Sequence, residues 1–256
     1  MDNKVIFANA ICKLNIKFFN KYYGYIPKFL LAITLWKPYK KYKKLLDREN
    51  IFFLSTNKTK TKNTVVTPYF IQLYPNYYKT LKGPKNHSKD SKKKFCAFIV
   101  SNPSNLERLD FFKKLSSYKK IDSYGKIFKN SNIYDSKRCI SNPEIYKNYK
   151  FVICFENSYA EDYVTEKLPN VMLGNSIPIY KGAPNISEYF NTESFINFDD
   201  YGSFEKIIEK IIELDNDDKK YLKMLNRPWL TEENIKNIGK KELELENFFK
   251  NIFKDQ

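Results

Sequence analysis

Between about residue 94 and residue 226, short apolar runs alternate with segments whose apolar residues recur at helical spacing, a pattern that few folds accommodate. Residues 94–100 (KFCAFIV), 121–126 (IDSYGK), 149–155 (YKFVICF), 175–181 (NSIPIYK) and 194–198 (SFINF) read as strands. Their near-continuous Val, Ile and Phe content suits strands covered on both faces, as in a parallel sheet. Between them, residues 105–118 read as a helix with Leu106, Leu109, Phe112 and Leu115 inward. Residues 203–214 read as an amphipathic helix with Phe204, Ile207, Ile208, Ile211 and Ile212 on one side. The alternation predicts an α/β fold built on a doubly wound parallel sheet.

The segment 155–169 (FENSYAEDYVTEKLP) carries a strand into a helix and sets a carboxylate beside an ammonium at that turn. Thr165 is placed to cap the helix, Glu166 and Lys167 fall in its first turn, and Leu168, Val171, Met172 and Leu173 supply its apolar face. Pro169 is early enough in the helix to be tolerated, and Gly174 ends it. Ligands of open α/β folds lie at the carboxyl ends of strands, and a helix amino terminus favours anions. From the two residues alone, an anion site and a plain first-turn acid beside a solvated lysine are equally compatible with the pattern.

The series KFCAFIVSNPSNLERLDFF, IDSYGK, YKFVICFENSYAEDYVTEKLPN, NSIPIYKGAP and SFINFDDY, in this order, resembles the nucleotide-sugar half of the α-1,3/4-fucosyltransferases, glycosyltransferase family 10. The resemblance covers roughly residues 94–226, and its FEN…YVTEK core is specific. It implies a GT-B architecture, two Rossmann-like domains of which the carboxy-terminal one binds GDP-fucose. It divides the chain into a basic, short or incomplete acceptor-side domain (1–81), a linker (82–94), the nucleotide-sugar domain (95–230) and a closing amphipathic helix (231–256). By position in the motifs, the resemblance assigns Glu166 to the nucleotide ribose and Lys167 to the diphosphate. Arg108 becomes a second diphosphate cation, and Asn157 and Tyr163 line the sugar and phosphate pocket. The implied reaction is transfer of fucose from GDP-fucose to a glycan hydroxyl with inversion, and it needs a base on the acceptor side.

Residues 1–100 hold 21 Lys and Arg but only four acids, Asp2, Asp47, Glu49 and Asp90. Glu49 is the least bad candidate base, although it reads more readily as an exposed acid offsetting nearby lysines; Glu161 and Asp162, beside the expected donor site, are fallbacks. A basic half of this kind suits an anionic membrane surface, an anionic glycan or nucleic acid, or simply a solvated lysine-rich face. Nucleic acid is disfavoured, because no zinc-finger spacing, RNA-binding aromatic signature or helix-turn-helix is present. A reduced acceptor half leaves a second reading open, a catalytically impaired GDP-sugar or glycan-binding relative lacking its base.

Cys12, Cys96, Cys139 and Cys154 show no CxxC spacing, and His87 is the sole histidine, so zinc and histidine chemistry are disfavoured. The DxD-like run 215–218 falls between helices and reads as cap chemistry rather than a metal site. No essential metal or cofactor is expected, because cations can serve the diphosphate. The stretch 26–36 is too short and interrupted for a membrane span of roughly 20 residues. With no signal peptide evident, a cytoplasmic protein, possibly peripheral to a membrane, is expected. Residues 240–253 form an amphipathic segment that either docks on the core or meets a membrane surface or partner.

Overall fold

Strands with apolar side chains on both faces need covering on both, and the chain meets that need with two layers of helix around a parallel sheet. The structure, a computed structural model, describes residues 30–31, 52–55, 64–73, 79, 81, 85–88, 94–131 and 143–253. In the first part, β1 (Leu30–Leu31), β2 (Phe52–Ser55) and β3 (Thr64–Val66) pair in parallel in that order, and α1 (Tyr69–Leu73) follows. The rest is built on β4 (Lys94–Phe98), β5 (Ile121–Ser123), β6 (Tyr149–Ile153), β7 (Ile177–Tyr180) and β8 (Ile196–Asn197), all parallel, in the order β5-β4-β6-β7-β8.

Side-chain alternation sorts each strand between two apolar clusters. On β6, Phe151 and Ile153 join the cluster that α2 (Leu106–Ser116), α4 (Phe204–Asn216) and α5 (Asp218–Leu225) cover. Val152 and Cys154 join the other, covered by α1, α3 (Lys167–Leu173) and α6 (Glu232–Phe253). Helices on both faces make the sheet doubly wound, as the alternation of runs predicts. The thiols of Cys96 and Cys154 are free and buried in these clusters, and burial pushes both pKa values up.

Several details differ from the sequence reading. The strand expected over 121–126 stops at Ser123, because Tyr124 and Gly125 turn close beneath Val100. A Cβ on Gly125 would collide with the Val100 backbone, so the turn needs glycine there. The strand expected over 194–198 shortens to Ile196–Asn197, flanked by 3₁₀ turns. Asp217 caps α5, accepting from the Lys219 and Lys220 amides at 3.0 and 3.1 Å, while Asp215 lies within α4 and binds Lys119 and Lys150 instead. The closing helix α6 docks on the core through Ile238 and Leu245, and the Lys241 ammonium donates to the Val66 carbonyl at 3.4 Å. No helix among the described residues is long and apolar enough to cross a membrane.

The largest departure concerns α2. The inward set is Arg108, Phe111, Phe112 and Leu115; Leu109 is half-buried, and Leu106, expected inside, is 74% exposed while Arg108 is 1% exposed. The helix is rotated from the expected phase because the guanidinium finds carbonyl acceptors at the strand ends. Truncation tests this phase: Leu106→Ala is expected to change stability by less than about 0.5 kcal/mol. Phe111→Ala, in the core, is expected to cost about 3–5 kcal/mol, both read by urea unfolding.

Candidate functional site

Numbered within its own sheet, the strand order is 2-1-3-4-5, and the order reverses between β4 and β6. In open parallel sheets the crevice at such a reversal, outside the carboxyl ends of the strands, is where ligands bind. Here the loop after β4 and the loop after β6 face each other across it. A cleft of about 380 Å³ opens there, lined by Asn105, Leu106, Glu156, Tyr159, Lys181 and Gly182 among others.

Asn105 stitches the two loops together. Its Oδ1 caps α2 by accepting the Arg108 amide at 3.0 Å, and its Nδ2 donates to the Glu156 carbonyl at 2.8 Å. Arg108 then reaches under the loops. Its Nη1 donates to the Phe155 carbonyl and to Asn157 Oδ1, both at 3.0 Å, and its Nη2 to the Asn102 carbonyl at 2.8 Å. Burial pulls the Arg108 pKa down and the nearby Glu156 charge opposes that shift. Among the described residues its buried Nε has no partner.

On the other side of the β6 end lies a buried ion pair. Glu156 Oε1 accepts the Thr165 amide at 2.7 Å, and Oε2 accepts the Thr165 hydroxyl at 2.8 Å and the Lys167 ammonium at 2.9 Å. Lys167 Nζ also donates to Thr165 Oγ1 at 2.8 Å and lies 3.9 Å from Glu166 Oε1. The Glu156 side chain is fully buried and that of Lys167 is 23% exposed. Burial raises the Glu156 carboxyl, with the Lys167 charge pulling the other way. For Lys167 burial acts against the charge, but Glu156 and Glu166 outweigh it and hold the ammonium above its usual value. Tyr163 hydrogen-bonds Asn157, and burial pushes its phenol up to about 12 against the pull of Lys167.

The structure therefore brings Arg108, Asn157, Tyr163, Glu166 and Lys167 into one connected cluster. It differs from the sequence reading in what Arg108 does: the fork expected to face phosphate oxygens is closed on protein carbonyls and Asn157. Helix α3 starts at Lys167, later than the sequence reading has it: the capping position is Glu166, which makes no side-chain cap bond, while Thr165, expected to cap, accepts the Lys167 amide only at 3.4 Å because its hydroxyl serves Glu156. Of the fallback bases, Asp162 is buried at a positive φ of 59°, its Oδ1 accepting Asn185 Nδ2 at 2.8 Å and the Tyr189 hydroxyl at 2.6 Å. That is a loop anchor. Glu161 is exposed. Glu49 lies outside the described residues. Glu156 was not foreseen as part of the site, although a carboxylate ending an otherwise apolar strand was a visible signal. No group of three metal-ligating side chains is found among the described residues.

A five-stranded doubly wound sheet with a charged cluster at its switch point is the arrangement of ligand-binding α/β domains, and solved structures that share its fold include fucosyltransferases of the GT-B type. The chain belongs to glycosyltransferase family 10: the description "Glycosyltransferase family 10 (fucosyltransferase) C-term" matches residues 89–250. It is 30% identical over 184 residues to the α-(1,3)-fucosyltransferase FucT of Helicobacter pylori, covering 66% of this chain and 37% of that protein. It is 31% identical over 175 residues to a putative fucosyltransferase of Acanthamoeba polyphaga mimivirus, covering 64% and 28%. The chain thus spans about a third of the length of these curated relatives. A solved α1,3-fucosyltransferase matches with a TM-score of 0.69 at 21% identity, over 94% of this chain and 84% of that one. A second, solved with GDP-fucose, matches with a TM-score of 0.65 at 20% identity, over 86% and 74%.

The buried fork of Arg108 has a measurable consequence. A lysine ammonium cannot span three acceptors set around a planar guanidinium. Arg108→Lys is expected to lower stability by about 1–3 kcal/mol in chemical denaturation, the cost of leaving buried acceptors unpaired. An exposed, ligand-facing arginine would give no such loss.

Proposed function

We propose that this protein transfers fucose from GDP-fucose to a hydroxyl of a glycan acceptor, with inversion at the sugar's C1. The observation that carries the reading is the Lys167 ammonium, held charged and partly exposed beside Glu166, Tyr163 and Asn157 at the sheet's switch point. Membership of family 10 and the fold shared with a fucosyltransferase solved with GDP-fucose support it.

In this reading the bond from C1 to the β-phosphate oxygen breaks as the acceptor oxygen attacks C1 from the opposite face. Negative charge develops on the departing GDP. Lys167 stabilises that charge through an N–H directed at a phosphate oxygen, and Glu166 accepts from the ribose hydroxyls. Arg108 contributes from beneath, by its positive field and by fixing Asn157 and the Phe155 carbonyl. The acceptor proton goes to a carboxylate of the acceptor side, for which Glu49 is the candidate. Cations at the diphosphate make a metal ion unnecessary.

The test is release of GDP from GDP-fucose with a panel of glycan acceptors. Lys167→Ala is expected to reduce turnover about 10²–10³-fold, the usual effect of losing one donor to developing charge. Turnover by the unmodified protein is expected to survive EDTA. Full activity in Lys167→Ala would overturn the site assignment, and GDP-fucose binding without transfer to any glycan would overturn the reaction.

A further inference from the structure

Glu156 is unusual in being a fully buried carboxylate whose hydrogen-bond acceptors all point at one short segment. Its own backbone is fixed on both sides: the amide donates to the Lys181 carbonyl at 2.7 Å, and the carbonyl accepts from Asn105 at 2.8 Å. Room for the side chain is secured by Gly182, where a Cβ would stand 2.6 Å from Glu156 Cγ and would also collide with the Tyr180 hydroxyl. The carboxylate is therefore an immobile reference point.

The ammonium of Lys167 has three N–H donors. One meets Glu156 Oε2 at 2.9 Å and one meets Thr165 Oγ1 at 2.8 Å. Thr165 in turn gives its hydroxyl proton to Glu156, 2.8 Å from Oε2, so its lone pairs are left to accept from the lysine. Glu166 Oε1, at 3.9 Å, is beyond hydrogen-bond reach. These two acceptors lie 2.8 Å from each other on one side of the ammonium, so they anchor it from that side and leave its remaining donor capacity on the opposite one.

We propose that Glu156 and Thr165 are positioning residues that anchor the Lys167 ammonium from one side, so that its remaining N–H donors are held towards the leaving diphosphate. This rests on the transferase reading above, and names two residues that the reading does not itself require. The Glu156 charge opposes that of Lys167, so the arrangement does not maximise ground-state attraction for an anion. What it improves is the direction of the donor, which counts where the phosphate oxygen gains charge during bond breaking. A merely structural ion pair would have no reason to separate these two quantities.

The experiment measures GDP affinity by calorimetry and kcat for fucose transfer on the full chain, for four variants. Glu156→Gln offers one acceptor where two are needed and removes the opposing charge. It is expected to bind GDP within about threefold of the unmodified protein, or more tightly, while kcat falls about 10²-fold, as a misaimed group costs. Lys167→Ala is expected to lose both. Thr165→Val, which keeps the shape and removes the hydroxyl, is expected to lower kcat about tenfold, and Thr165→Ser to recover most of that loss. Parallel loss of affinity and kcat in Glu156→Gln, or an unchanged kcat in Thr165→Val, would overturn the proposal. If the unmodified protein binds GDP but transfers no fucose, the transferase reading fails by itself, and the positioning proposal is decided by affinity. Retained GDP binding in Glu156→Gln against loss in Lys167→Ala then supports it, and equal loss in both overturns it. Should Glu156→Gln not fold, the two Thr165 variants decide.

Discussion

An ionised carboxylate sealed inside a protein costs several kcal/mol unless hydrogen bonds and an opposite charge compensate it, and Glu156 sets that condition at the end of the central strand β6. Much of the local fold meets it. The loop after β6 leaves the sheet and returns so that the Thr165 amide, the Thr165 hydroxyl and the Lys167 ammonium converge on one carboxyl group. The return is pinned where Asp162, in a left-handed conformation, accepts from Asn185 and Tyr189, and where Val164 accepts the Phe70 amide at 2.9 Å. The start of α3 is thus fixed by an electrostatic requirement one loop earlier, and α1 is tied to the same loop.

Successive residues of a strand point to opposite faces, and the β6 end uses this to hold two opposite charges apart. Glu156 is served from the side of α3, while Arg108 approaches from α2 and binds the carbonyl of the preceding residue, Phe155. Both are nearly inaccessible, with Arg108 at 1% exposure, yet their fields act on each other, Glu156 supporting the arginine's charge against burial. With Glu166 and Lys167 added, the cluster carries two positive and two negative groups. With no excess positive charge, the cluster would favour an anion only through where its donors point.

The architecture was legible because burial on both faces leaves a strong mark: runs such as YKFVICF admit few alternatives to a covered parallel strand. The motif residues 155–169 were legible for the same reason, since a polar loop between an apolar strand and a helical stripe can lie only at the sheet's carboxyl end. What misled was charge. Amphipathic reading places arginine outside, so Arg108 displaced Leu106 from the interior and turned α2 from its expected phase. Glu156 escaped notice because a carboxylate is read as a loop residue, and only three-dimensional contact reveals that its partners lie nine and eleven residues onward. Glu49, the proposed base, falls outside the described residues, so the acceptor side was read from composition and resemblance alone.

The opposite end of the sheet supplies an internal comparison. Asp215, its side chain 3% exposed, accepts Lys119 Nζ and Lys150 Nζ at 2.9 Å each and the Tyr118 hydroxyl at 3.1 Å. Burial raises its carboxyl, but the bonds from Lys119 and Lys150 bring it below the usual range. Lys150 also donates to the Asp215 carbonyl at 2.9 Å, so one lysine closes on both ends of the same residue. This cluster ties α4 to the amino-terminal edges of the strands and accounts for Asp215, the first carboxylate of the DxD-like run. Both ends of the sheet thus bury a carboxylate beside lysine, and burial alone does not mark a site. The difference lies in where the ammonium sits: at the amino-terminal end the lysines bridge one helix to the strands, whereas at the carboxyl end Lys167 stands at the switch point, where ligands of open parallel sheets bind.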